Sequence, residues 1–255
     1  MEINNYDYIS DLYDTYVPAT FDIEFFIKET KNSPGEVLEL MSGTGRVSVP
    51  LLQAGVKLTC VDLSEELTAV FRRKLDQRKL KADIYRMDIR QLEIPKKFGM
   101  IIIPFHSFAH IVLADDQRKT LRRIQRHLLP GGIFICTLGN PARRQKLIDG
   151  QLRLFGKYPL TGEQGTLLLW IMENYNSEDH QIVEASQFYE EYDAKGILKS
   201  KRLLELHFRL SSKEEFEKLA IDEGFKVKAL YGDYDYAEFT QQSSPFMIWL
   251  LENAG

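Results

Sequence analysis

The sequence predicts a doubly wound α/β fold, a mostly parallel sheet covered by helices on both faces. Three observations carry that prediction. Nearly continuous apolar runs at 37–40, 57–62, 100–103 and 133–138 alternate with amphipathic helical patterns, which is how strands buried on both faces read. The first run ends in a small turn, Met41-Ser42-Gly43-Thr44-Gly45-Arg46, before a helical pattern begins at Val47. Glycines there remove the Cβ atoms that would keep backbone away from a ligand. Asp62 and Asp88 close the second and third strands, on the carboxyl edge where such sheets bind ligands.

The elements follow in order. Residues 1–33 are rich in tyrosine and acid. Tyr13 and Tyr16 share a helical face, and Pro18 interrupts. Thr20 is the expected cap of a second helix with Phe21, Phe25 and Phe26 as its apolar stripe. This segment reads as a helical lid. Strand one is Val37–Leu40, and its helix, with Pro50 inside, runs to Gly55. Strand two is 57–62, and Ser64 caps a helix bearing Leu67, Val70, Phe71 and Leu75. Strand three is Asp83–Arg86, and strand four, Met100–Ile103, runs into Pro104-Phe105-His106. Asp115 is the expected cap of the next helix, Pro130-Gly131-Gly132 its stop, and 133–138 strand five.

From 151 the pattern changes. Three extended segments, 166–175, 181–192 and 198–210, joined by good turn chemistry, predict an antiparallel meander inserted into the α/β frame. Ser212 and Glu215 make a capping box, and Gly224 ends that helix. Two strands, 225–231 and 245–251, close the chain. The expected organisation is a lid at 1–33, a ligand-binding domain at 34–150 and 211–255, and a substrate or dimerisation subdomain at 151–210.

Composition narrows the function. The 255 residues are 44% hydrophobic and 27% charged, enough for a sizeable core, and the net charge of -4 argues against a nucleic-acid binder. Cys60 and Cys136 fall in central strands and read as buried free thiols. No metal-ligand spacing, apolar membrane span or leader signal occurs, so a cytoplasmic protein is expected.

Glu39, the glycine turn, Asp62 and Asp88 form one constellation in register. An acid about twenty residues after such a loop can hold a ribose diol, and Asp88 can accept from an adenine amino group. A nicotinamide dinucleotide is one candidate ligand, but its fingerprint wants a third small residue where Ser48 stands.

Four stretches taken together, Glu39–Arg46, Val61-Asp62-Leu63-Ser64, Met87-Asp88-Ile89 and Leu129-Pro130-Gly131-Gly132, resemble the successive motifs of class I S-adenosylmethionine-dependent methyltransferases. The resemblance covers most of residues 20–140. It implies a Rossmann-like, seven-stranded sheet whose last strand is antiparallel, and S-adenosyl-L-methionine as cofactor. It assigns cofactor contacts to Tyr13, Glu39, Met41, Ser42, Gly43, Gly45, Arg46, Asp62, Leu63, Met87, Asp88, Ile89 and Phe105. Met41 departs from the pattern, standing where the family has its first glycine. Tyr13-Asp14, the 22–25 segment and the inserted meander look like the small-molecule branch, which includes glycine and amino-sugar N-methyltransferases.

Methyl transfer from a sulfonium needs an aligned nucleophile and exclusion of water. His106, just past strand four, is the leading candidate base, and His110 the second. Tyr16, Arg153, Trp170, Tyr175 and Tyr234 are the candidate contacts to a small-molecule acceptor, with Glu173 as further charge. The meander's aromatics equally suit a homodimer interface. The alternatives are a non-catalytic sensor or assembly protein that binds the same cofactor, and an NAD-dependent oxidoreductase.

Overall fold

The computed structural model describes residues 4–160 and 165–254; Met1 to Ile3, part of the stretch read above as lacking a leader, lie outside it. The chain opens with a 3-10 turn, Tyr6–Ile9, then helices α1 (Tyr13–Tyr16) and α2 (Ile23–Lys31). The central sheet begins with β1 (Val37–Leu40), followed by α3 (Ser48–Gln53), β2 (Leu58–Asp62), α4 (Glu65–Arg78) and β3 (Asp83–Arg86). Next come β4 (Phe98–Ile103), α5 (Ala114–His127), β5 (Leu128–Gly139) and α6 (Pro141–Arg144). The meander has four strands, β6 (Arg153–Leu160), β7 (Gly165–Tyr175), β8 (Ile182–Tyr192) and β9 (Leu198–Arg209). Helix α7 (Lys213–Asp222) and strands β10 (Phe225–Tyr231) and β11 (Phe246–Asn253) end the chain.

The seven-stranded sheet has the order β10-β11-β5-β4-β1-β2-β3. β1 to β5 run parallel, and β11 is antiparallel to both neighbours. Alternation along the strands divides the core in two. Leu38, Leu40, Ile101, Ile103, Phe134 and Cys136 face α5 and α7, against Leu121, Ile124, Phe216 and Leu219. Val37, Met100, Ile102, Ile133 and Ile135 face α2, α3 and α4, against Phe25, Leu51 and Phe71. Both faces of the inner strands are therefore dry, which is why their sequences show no polar alternation.

The second sheet is antiparallel, in the order β6-β7-β8-β9. Its inner face (Leu167, Leu169, Ala185, Tyr189, Leu204 and Leu206) packs on Ile9 and Leu12 of the N-terminal segment. β6 was not expected. Gly156 and Pro159 disguise it, and both are tolerated because β6 is an edge strand.

Two caps differ from expectation. Helix α2 begins after Asp22 rather than after Thr20 and has no side-chain cap, because both Asp22 oxygens are held by another partner described below; Phe21 is left outside, 53% exposed. Helix α5 starts after Leu113, with Asp115 and Asp116 inside its first turn near the positive end of the helix dipole. Pro130-Gly131-Gly132 does not stop α5. Leu128 is already extended, and the three residues lie within β5 with Gly131 at φ 70°. The caps at Ser64 and at Ser212 with Glu215 form as expected. Cys60 and Cys136 are buried free thiols.

Candidate functional site

The turn after β1 is shaped by three left-handed residues, Met41, Gly43 and Gly45 (φ 57°, 55° and 76°). Gly43 donates its N–H to Asp62 Oδ2 at 2.7 Å, and Ser64 N–H donates to Oδ1 at 2.9 Å. Each carboxylate oxygen of Asp62 keeps a second lone pair for a ligand hydroxyl. Burial pushes the Asp62 carboxyl above its usual value, while the backbone donors pull the other way. A Cβ on Gly45 would stand 2.2 Å from the Phe71 ring, so only glycine lets the loop lie this close to α4. Met41 takes the left-handed backbone that glycine takes freely, a strain of roughly 1–2 kcal/mol, and packs with Met87 and Ala109 against the first core. The open loop and the oriented carboxylate fit a nucleoside cofactor.

Glu39 lies one layer below, facing α3. Ser48 donates to its Oε2 at 2.7 Å, and Cys60 Sγ lies 3.6 Å from Ser48 Oγ. Burial pushes the Glu39 carboxyl up to about 8, so the group is protonated at neutral pH. Ser48, where a dinucleotide fold needs a small residue, is thus tied to the strand beneath it.

The N-terminal segment is strapped across the loop by three acids. Asp7 accepts from Ser64 Oγ, and Asp14 accepts from Thr44 Oγ1 at 2.7 Å and pairs with Lys74 at 2.6 Å. Asp11 pairs with Arg202 of β9 at 2.6 Å. Asp7 and Asp14 thus tie the segment to the loop and α4, and Asp11 ties it to the second sheet. Tyr6, Tyr13 and Tyr16 pack against the meander's inner face, in edge contacts that run on to Tyr189. Burial raises the Tyr13 hydroxyl to about 12, and the charges of Arg46 and Asp62 both reach it, so Tyr13 borders the glycine turn after β1.

Arg46 closes the loop. Its guanidinium donates to both oxygens of Asp22 at 2.6 Å and to Ala19 O at 2.8 Å, and lies over the Phe105 ring at 4.4 Å. Phe105 and His106 follow β4 as consecutive left-handed residues (φ 55° and 63°). The His106 ring stacks on Phe246 at 5.3 Å, and Tyr234 contacts Phe246 and Phe21. Among the described residues, His106 Nδ1 and Tyr234 Oη are buried polar atoms without a hydrogen-bond partner. Burial lowers the His106 imidazole to about 4, and the Arg144 charge adds to the effect. Two unused polar atoms therefore lie within an aromatic cluster beyond the carboxyl end of β4.

Other candidates are placed differently. His110 is engaged at both nitrogens, Nδ1 with Asn4 Nδ2 at 2.6 Å and Nε2 with the Tyr6 hydroxyl at 3.3 Å, so it anchors the strap rather than standing free as a base. Asp88 caps a 3-10 turn and is gripped by Arg90, which also reaches Asp116; its oxygens face a guanidinium, not an open adenine pocket. Leu63 is half-exposed beside Asp62, Met87 accepts a hydrogen bond from Glu93 N–H, and Ile89 is core. Arg153 pairs with Asp149 at the exposed start of β6. Trp170 alternates away from Leu169 onto the outer face and donates to Glu190 at 3.1 Å. Tyr175 sits against His180 at the β7–β8 turn. Of the proposed acceptor contacts, Tyr16 lies beside Tyr13 and Tyr234 lies within the aromatic cluster by His106. Asp22, Asp14, Lys74 and Arg144 were missed. The acid-rich run with Asp7, Asp11 and Asp14 was the readable signal for the strap, and nothing local marked the other three.

Residues 37–132 match the methyltransferase domain family. The chain is 33% identical over 136 residues to the glycine/sarcosine N-methyltransferase of Halorhodospira halochloris, covering 51% of this chain and 50% of the relative; the chain thus spans about half the length of that relative. The CcbJ methyltransferase of Streptomyces caelestis has the same fold, with a TM-score of 0.83, 20% identity and all of both chains covered. An S-adenosylmethionine-dependent methyltransferase from Clostridium acetobutylicum superposes with a TM-score of 0.82 at 19% identity, over 98% of this chain and 99% of the other. Residues 37–132 thus carry a methyltransferase domain, in a chain whose overall fold is that of S-adenosylmethionine-dependent methyltransferases.

Proposed function

We propose that the chain methylates the neutral nitrogen of a small organic amine in the cleft between the cofactor loop and the meander. S-adenosylmethionine, when bound, supplies an electrophilic methyl group. The residues suited to hold it are Asp62 and the loop at Ser42–Gly45, with Tyr13 and the strap covering that side. His106 carries the reading. Its unpartnered Nδ1 is held by aromatic walls at the strand end next to the loop. An imidazole lowered to about 4 is neutral at physiological pH, so it accepts a hydrogen bond and orients an N–H, but is too weak a base to ionise a hydroxyl. A neutral amine brings its own lone pair and needs no such base. The N-methyltransferase relative supports the same choice. The strap and the meander's inner face exclude water from the cleft.

Labelled S-adenosylmethionine incubated with a panel of small amines and the matching alcohols tests this. Methylated amines are expected, and labelled ethers instead would overturn the choice of nitrogen. Calorimetry with S-adenosylhomocysteine should show binding that Asp62→Ala weakens by roughly 1–3 kcal/mol; unchanged affinity would remove Asp62 from the site. Binding without turnover of any acceptor would favour the sensor reading.

A further inference from the structure

We propose that Phe21 covers the acceptor position, and that the acceptor is a primary amine borne on an aromatic group whose ring takes the seat that the Phe21 ring now fills. This rests on the proposed methylation of an amine and adds an acceptor class to it.

Phe21 belongs by sequence pattern to the apolar stripe of α2, yet it lies in the turn before that helix and is half-exposed. The turn itself is fixed. Arg46 donates to Ala19 O at 2.8 Å on one side of Phe21 and to both Asp22 oxygens on the other. With the backbone pinned on both sides and half the ring in water, the motion left to Phe21 is rotation of its own side chain.

Three rings form its seat. Phe246 lies nearly parallel to it, with centroids 5.7 Å apart and planes at 12°, and Tyr234 and Phe105 flank it at 5.5 Å and 6.3 Å. Such a seat suits a flat ring, so a ligand's ring entering it replaces one aromatic stack by another. The same Phe246 ring touches His106 at 5.3 Å and Tyr234 at 5.2 Å. Those two residues carry the buried polar atoms without partners, His106 Nδ1 and Tyr234 Oη. Apolar packing does not account for them, because an unsatisfied buried polar atom is costly. A neutral primary amine accounts for both. It gives one N–H to each atom and keeps its lone pair for the methyl group. The backbone of His106 is held for this, its N–H donating to Thr137 Oγ1 at 3.2 Å. An amine on a short arm from an aromatic ring thus satisfies the seat and the polar pair together.

Phenethylamine against its saturated counterpart, cyclohexylethylamine, tests the assignment, each with labelled S-adenosylmethionine. The planar amine should be preferred by roughly tenfold in kcat/KM, and Phe246→Leu should erase that preference. Phe21→Ala empties the seat, so KM for phenethylamine should fall several-fold, with S-adenosylhomocysteine affinity unchanged. Phe21→Trp reports the swing. Phenethylamine added to its S-adenosylhomocysteine complex should move the emission to longer wavelength, as the indole turns into water. If neither amine is methylated, thermal shifts of the S-adenosylhomocysteine complex decide, and phenethylamine must stabilise it more than cyclohexylethylamine does. Equal behaviour of the two amines, a higher KM in Phe21→Ala, or an indole emission that stays or moves to shorter wavelength would overturn the proposal. Failure to bind S-adenosylhomocysteine at all would instead overturn the reading of the cofactor loop.

Discussion

Asp22 and Arg46 form a two-pronged ion pair, both N–O distances 2.6 Å, with the Asp22 side chain fully buried and that of Arg46 12% exposed. The pair joins the start of α2 to the end of the cofactor loop. It also explains why Asp22 does not cap its helix through its side chain: both oxygens are on the guanidinium.

Breaking that pair should cost far more than a surface bridge. Asp22→Asn leaves a mostly buried guanidinium without its counter-charge, which destabilises by roughly 3–5 kcal/mol. Urea unfolding measures it, and S-adenosylhomocysteine affinity should fall as well. A loss below about 1 kcal/mol would show that the pair is solvated in solution.

Gly45→Ala places a methyl 2.2 Å from Phe71 at φ 76°. Overpacking and left-handed strain together predict a loss of about 2–4 kcal/mol and a loop pushed off its geometry. Thermal unfolding and cofactor calorimetry should both register it. Gly55→Ala, at φ 84° with open space around its Cβ, is the control and should lose only the strain.

Glu39 makes stability depend on pH. Its folded value of about 8 lies above the ordinary 4.5, so between those values the native state holds a proton that the unfolded chain has lost. Its contribution is complete below about 4.5, falls as pH rises, by roughly 1.4 kcal/mol per unit at the steepest, and is gone above about 8. Glu39→Gln keeps an acceptor for Ser48 and removes the ionisation. The variant should therefore gain stability on the wild type as pH rises from 5 to 8, in denaturant titrations across that range. Parallel curves would mean that Glu39 titrates normally.

His106 should leave no break in the rate near the ordinary histidine value of 6.5. With its value at about 4, the acid limb attributable to this ring lies well below pH 6. His106→Ala should lower kcat roughly tenfold or more and abolish that limb, whereas His106→Asn, which retains an acceptor, should recover part of the rate. A wild-type inflection near 6.5 that disappears in His106→Ala would show that the ring titrates as an exposed histidine.

Much of the frame was legible because buried parallel strands write themselves as apolar runs and their helices as stripes. β1 to β4 and the caps at Ser64 and Ser212 depend on residues within a few positions of each other. β6 was hidden because edge strands tolerate glycine and proline, and Pro130-Gly131-Gly132 misled because a strand can absorb a bulge where a helix cannot. The glycine turn after β1, with Asp62 in reach of Gly43, was readable for the same local reason: a strand end and the adjacent loop are fixed by the sheet.

The sequence by itself determined the fold class, the two-layer core and the glycine turn after β1, since each follows from periodicity or from backbone that only glycine adopts easily. Tertiary structure decided which polar groups are free. It bound His110 to Asn4 and Tyr6, gave Asp88 to Arg90, turned Trp170 outward, and left His106 Nδ1, Tyr234 Oη and most of Arg144 uncommitted. These outcomes depend on pairings between residues tens to hundreds of positions apart, or on which face of a strand turns inward. Local sequence cannot encode them, because a side chain's partner is set by packing and not by its neighbours.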